Sequence, residues 1–186
     1  MSLITYSGLV KLKEDSVLKG ANEKLINPAS IDVRLGTTLF VEKDNTLEPF
    51  FRPTVDISAK ETPDMKEIEL EEGEFYRLPP NTFILASTVE EFFLPDSIAS
   101  EFKLKSSLAR AGLDHSLSGW GDPGFNGSPL TLQLHSNLKH HDLILRPGMK
   151  IGQIIFWQGE EVPEGSSYRD LGRYNGQKGP AKSKGV

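Results

Sequence analysis

The chain predicts an all-β fold, a sandwich or a barrel, and three observations carry the prediction. Turn signals recur at short intervals, at Asn27-Pro28, Pro79-Pro80-Asn81, Asp122-Pro123-Gly124 and Arg146-Pro147-Gly148. Between them lie short stretches rich in β-branched and aromatic residues. No segment repeats at the spacing of a solenoid or propeller. β-Branched and aromatic side chains suit a pleated, half-buried surface, so short strands with frequent turns favour stacked or closed sheets over βα units.

In chain order, a weakly patterned helix is expected within residues 5–19, with Ser7 as its cap. IDVRLGTTLFVE, residues 31–42, reads as strand. Residues 42–74 hold many acidic side chains and little apolar alternation, which predicts a surface loop or hairpin excursion. TFILASTV, residues 82–89, returns to strand. A short helix is expected from Ser107 to Ala111, with Ser106 as N-cap and Gly112 placed to stop it. Strands follow at LTLQL, DLILR and IGQIIFW. From Gly159 the chain turns poor in apolar residues and rich in Gly, Ser, Lys and Pro. Such a segment is either a frayed end or a flap that orders on a ligand. The expected organisation is a β-barrel domain over residues 1–158 and a tail over residues 159–186.

Composition narrows the function. The 186 residues, 37% of them hydrophobic, suit one domain with its own core. There is no cysteine, which excludes disulfides, thiolate zinc sites and cysteine nucleophiles. No window reaches the ~18 apolar residues of a membrane span, and the N-terminus lacks the apolar run of a signal peptide, so a cytoplasmic location is expected. A net charge of −5 argues against a broad nucleic-acid-binding surface. A phosphate ligand would need a local positive cluster, and basic residues gather around 103–110 and 173–184.

Several segments in order are more specific. They are Asn27 to Gly36 (NPASIDVRLG), Lys105 to Leu113 (KSSLARAGL), Gly121 to Gly127 (GDPGFNG), Arg146 to Gln153 (RPGMKIGQ) and Tyr174 to Pro180 (YNGQKGP). Together they resemble the dCTP deaminase family, which shares its fold with the trimeric dUTPases. The resemblance runs over about residues 26–40 and 75–184. It implies a mainly β, distorted jelly-roll barrel with a few short helices, assembled as a homotrimer with active sites between subunits. It also implies a pyrimidine deoxynucleoside triphosphate as ligand, Mg²⁺ carried on the triphosphate without protein ligands, and a tail that closes over the nucleotide.

On that resemblance Ser106, Ser107 and Arg110 match the catalytic and phosphate-binding helix. Hydroxyls can satisfy phosphate oxygens, and a guanidinium can hold a phosphate or orient a water. Lys105 stands where the family has arginine; it keeps the charge and loses the bidentate fork. Ser118 falls in the nucleotide-binding set. Asp122 is an ordinary turn aspartate on one reading; on the family reading it binds the sugar 3′-hydroxyl or orients the attacking water. Phe125 matches a ring beside the deoxyribose, and Tyr168, Arg173, Gln177 and Lys178 match phosphate-contacting groups of the tail. His115, seven residues before Asp122, is expected to support the site from behind. His135, His140 and His141 lack a well-spaced third ligand and are read as surface residues.

One departure bears on the reaction. Deamination adds water at C4 of cytosine and expels ammonia, and in this family a glutamate on the strand after the DPGF turn moves the proton. A carboxylate takes up a proton and returns it; an amide does not. Here that strand reads LTLQL and the position is Gln133, or Leu132 if the apparent extra residue at Ser128-Pro129 shifts the match by one. The family reaction, dCTP to dUTP and ammonia, therefore stands beside two alternatives. One is hydrolysis of dUTP to dUMP through Asp122, Arg110 and Gln177. The other is a non-catalytic nucleotide-binding regulator. If deamination persists, Asp114 or a neighbouring subunit is the place to seek another carboxylate.

Overall fold

The computed structural model describes residues 1–43 and 53–185; residues 44–52 of the acidic excursion, and Val186, lie outside them. The chain opens with β1 (Ser2–Leu3), α1 (Tyr6–Glu14), β2 (Leu18–Lys19) and a 3-10 turn at Glu23–Leu25. β3 (Ile31–Arg34), β4 (Thr38–Glu42), β5 (Met65–Glu69), β6 (Tyr76–Leu78), β7 (Phe83–Phe93) and β8 (Ile98–Leu104) then lead to α2 (Ser106–Arg110). β9 (Leu113–His115), β10 (Trp120–Gly121), β11 (Asn126–Ser136), β12 (Leu143–Leu145) and β13 (Lys150–Gln158) complete the strands, and α3 (Tyr168–Leu171) lies in the tail.

The fold is mainly β, built on two open sheets rather than a closed ring. One runs β1-β13-β8-β10, with β3 also paired to β13; the other runs β5-β4-β7-β11-β9, with β2 also paired to β7. Strand alternation decides what each sheet buries. Ile154 and Phe156 of β13, Ile84 and Ala86 of β7, and Leu132 and Leu134 of β11 are all 0% exposed and belong to one core cluster. Truncating one of the larger of these to alanine costs about 2–5 kcal/mol, because the cavity cannot fully collapse. The sheets are also joined by a buried ion pair. Glu90 of β7, 0% exposed, accepts from Arg34 Nε at 2.7 Å and from the Arg34 backbone N–H at 2.8 Å.

Local predictions shift at the helices. The N-cap of α1 is Thr5, not Ser7, and it makes no side-chain cap bond. Tertiary contacts set that start instead: Ile4 N–H donates to Phe156 O and Tyr6 N–H to Pro28 O, both at 2.9 Å. α2 begins one residue earlier than expected. Lys105 stays extended because its N–H donates to Ile151 O at 3.2 Å, so Ser106 is the first helical residue rather than the cap. Gly112, at φ +95°, does end the helix, just past Ala111. The described part of the acidic excursion forms a hairpin, with β4 and β5 paired from Thr38↔Glu69 to Glu42↔Met65.

Candidate active site

The residues that alternate with the buried core positions make a floor. Phe83 and Leu85 of β7, with Thr131 and Gln133 of β11, line a cavity of about 480 Å³ on the face of the second sheet opposite the core. Its roof comes from Tyr174 and residues 181–183 of the tail and from Pro63 and Met65 at the foot of the hairpin. Its end wall is the turn after β10, with Trp120, Asp122 and Phe125, backed by Tyr168 of α3.

The Asp122-Pro123-Gly124 sequence folds this wall. Phe125 N–H donates to Asp122 O at 3.1 Å, closing the turn. Gly124 takes φ +88°, and a Cβ there would lie 2.8 Å from both Asp96 Oδ1 and Arg169 N, so only glycine fits. Phe125 is thereby held between Phe92, at 5.8 Å, and Tyr168, which meets it edge-on at 5.7 Å and 75°. Asp122 is exposed, and its Oδ1 accepts from Trp120 Nε1 at 2.9 Å. Burial pushes the Tyr168 hydroxyl above its ordinary value, so it stands as a neutral phenol at neutral pH. Among the described residues lining the cavity, Asp122 is the one carboxylate.

The register decides which residue occupies the departure site. Leu132 is 0% exposed in the core, whereas Gln133, opposite Leu85, lines the cavity. The residue presented there is the amide. Its Oε1 is buried and has no hydrogen-bond partner among the described residues.

Ser118, Asp122, Phe125, Gln133 and Tyr168 thus come together at one cavity. Ser106, Ser107 and Arg110 do not join them; all three are exposed on α2. Gly121 pairs with Ser100, and from Ser100 to Lys105 the strand advances roughly 17 Å at ~3.3 Å per residue. Lys105 is engaged elsewhere, in an ion pair. Its ammonium lies 2.8 Å from Asp32 Oδ1, and Lys150 lies 2.9 Å from Oδ2. Burial works to raise Asp32, but hydrogen bonds from Lys105, Lys150 and Asn27 outweigh it and hold the carboxyl below its usual value. In the tail, Arg173 and Lys178 are exposed and Gln177 is half-buried, and none lines the cavity.

His115 is buried on β9, its ring tilted at 47° against Phe102 with centroids 4.6 Å apart, and its Nε2 has no partner among the described residues; burial lowers its pKa against the opposing charge of Asp114. The Asp114 carboxylate bonds the His115 N–H and Asn137 and does not line the cavity. His135 bonds Asn137 at 2.9 Å, and His140 and His141 are exposed. Sequence reasoning missed Trp120, Tyr174, Lys182 and the hairpin residues Thr62, Pro63 and Met65, all of which line the cavity. Lys182 had a signal in the basic run of the tail; the hairpin residues had none. Among the described residues, no helix is long and apolar enough to cross a membrane.

Comparison with known proteins agrees with this frame. A solved structure of 2′-deoxycytidine 5′-triphosphate deaminase from Agrobacterium tumefaciens superposes with a TM-score of 0.62 at 20% identity, covering 84% of this chain and 48% of that one. At that identity the likeness defines the fold: that of dCTP deaminases. A "dCTP deaminase, dUMP-forming" of Streptomyces griseus is 44% identical over 165 residues, covering 86% of this chain and 82% of that protein. One of Mycobacterium tuberculosis is 41% identical over 168 residues, covering 88% and 84%. The family profile described as dCTP deaminase-like matches residues 8–159. The chain belongs to the dCTP deaminase-like family of nucleotide-metabolising enzymes.

Proposed function

We propose that this chain is a pyrimidine deoxynucleotide hydrolase whose main reaction is dUTP to dUMP and diphosphate. The observation that carries the reading is Gln133: an amide, not a carboxylate, lines the cavity where deamination needs a group that takes and returns a proton. Hydrolysis at the α-phosphate does not need that group. Asp122 keeps one carboxylate oxygen on Trp120 and has the other to orient a water. The Phe125–Tyr168 pair forms an aromatic wall against which a deoxyribose packs. Ser106, Ser107 and Arg110 supply hydroxyls and a guanidinium for the phosphates. Their distance from the cavity within one chain supports a site completed by α2 of a neighbouring subunit, and the resemblance to the trimeric dUTPases makes a homotrimer the assembly to expect.

Mg²⁺ fits this site as a passenger on the triphosphate. The described residues offer no cluster of three His, Asp or Glu side chains that would cage an ion, and Mg²⁺ is commonly held by substrate phosphates and one or two carboxylates. When bound it would neutralise charge on the triphosphate that carries it.

A second reading is favoured by the relatives. Proteins 41–44% identical are named dUMP-forming dCTP deaminases, and on that reading the chain also deaminates dCTP, with Asp122 as the available carboxylate. Hydrolysis of dUTP in ¹⁸O-water tests the main proposal: the label should enter dUMP. Label in diphosphate alone, or no dUMP, refutes it.

A further inference from the structure

We propose that Ser128 is a positioning residue that docks the tail onto the body and so sets the roof of the cavity; this rests on the reading of that cavity as the nucleotide site. The inference starts from the extra residue in the sequence. Asn126 pairs with Phe93 and Ser128 with Phe92, so two steps along β11 face one step along β7. This is a bulge, with Gly127 at φ +66°, and it is followed by Pro129, which has no N–H for the ladder.

The bulge turns backbone groups towards the tail. Asn126 O accepts from Gly176 N–H at 3.2 Å, and Asn126 N–H donates to Asn175 Oδ1 at 2.9 Å. Ser128 is 0% exposed and lies between these contacts. Its Oγ donates to Tyr174 O at 2.8 Å and accepts from Gln177 N–H at 2.9 Å. A hydroxyl is a minimal group that does both at once. Farther on, Thr131 Oγ1 accepts from Ala181 N–H at 2.9 Å. These anchors hold Tyr174, at their start, and Lys182, next to Ala181 at their end, against the cavity. Apart from Tyr174 and Pro180, which pack inward, this stretch is held by hydrogen bonds rather than apolar bulk. Removing the Ser128 hydroxyl leaves the Tyr174 carbonyl and the Gln177 N–H unpaired and shifts the tail towards its undocked state.

Hydrogen exchange on the nucleotide-free protein, followed by dUTP kinetics, tests this. In Ser128→Ala the amides of Gly176, Gln177 and Ala181 should exchange about tenfold faster while core amides and the melting temperature hold. KM for dUTP should rise about tenfold with kcat within about twofold. Asn175→Ala, which undoes the dock from the tail side, should give the same pattern. Unchanged tail exchange in both variants, faster exchange that rises together with the core, or faster exchange with KM unmoved each overturns the proposal. If the wild-type protein neither binds nor hydrolyses dUTP, the nucleotide reading fails, while the exchange arm still decides whether Ser128 is the dock.

Discussion

Replacing Gln133 by glutamate should confer a new activity. The two side chains match in length and shape, so the β11 ladder and the buried Leu132 and Leu134 on the opposite face are undisturbed. What changes is chemistry. A carboxyl on a floor shared with Phe83 and Leu85 is partly desolvated, which raises its pKa above the ordinary carboxylate value. Such a group can accept a proton from water and deliver it to a leaving amine. General acid–base catalysis contributes roughly 10²–10⁴-fold, or ~3–5 kcal/mol of barrier. Gln133→Glu should therefore raise ammonia release from saturating dCTP by about 100-fold or more, with dUTP hydrolysis within about threefold of wild type. Ammonia is read by a coupled assay and the nucleotides by chromatography. If the wild-type chain already deaminates dCTP within about threefold of the variant, the amide is no barrier and the reasoning is refuted. The same holds if the variant folds, hydrolyses dUTP and gains no deaminase activity.

Three further outcomes are expected. Arg110→Ala and Asp122→Asn should each abolish dUTP turnover, yet coexpressed chains should recover about a quarter of wild-type activity if α2 and the cavity come from different subunits of a trimer; a site within one chain recovers none. Asp32→Asn should lower the free energy of urea unfolding at neutral pH by about 2 kcal/mol, since Lys105 and Lys150 lose a buried partner but remain partly hydrated. Because the folded-state pKa of Asp32 is lowered, its contribution is present above the ordinary value of about 3.9 and is lost as pH falls through the folded value. Burial likewise lowers His115, so between its folded value and about 6.5 the unfolded chain takes up the proton the folded chain refuses. Melting temperatures should fall as pH drops below about 6.5, and His115→Gln should flatten that profile.

The β class was legible in the sequence because its turns are written in Pro, Gly and Asn, and because β3, β4 and β13 carry β-branched runs. β8 was not, since IASEFKL places Glu101 and Lys103 on its outer side and a serine, Ser100, on its inner side. The end of β7 was also missed: Glu90 reads as surface until Arg34 is seen to pair with it from the other sheet. The cavity wall at Asp122 and Phe125 was legible, like Gln133, through the family motifs, since turn chemistry alone marks Asp122 as an ordinary turn residue. The roof was not, because Pro63 and Met65 reach it only through the pairing of β4 with β5, a contact that local sequence does not encode. Lys105 carried a charge legible in sequence, but only the fold reveals that Asp32 claims it.

The most direct test of the proposed reaction is a competition. The full chain is incubated with equal dCTP and dUTP in the presence of Mg²⁺, and every nucleotide and ammonia are followed over time. The expected result is that dUTP disappears into dUMP and diphosphate while dCTP persists and ammonia stays at background. Loss of dCTP with stoichiometric ammonia, at a rate comparable to the loss of dUTP, would contradict the proposed reaction.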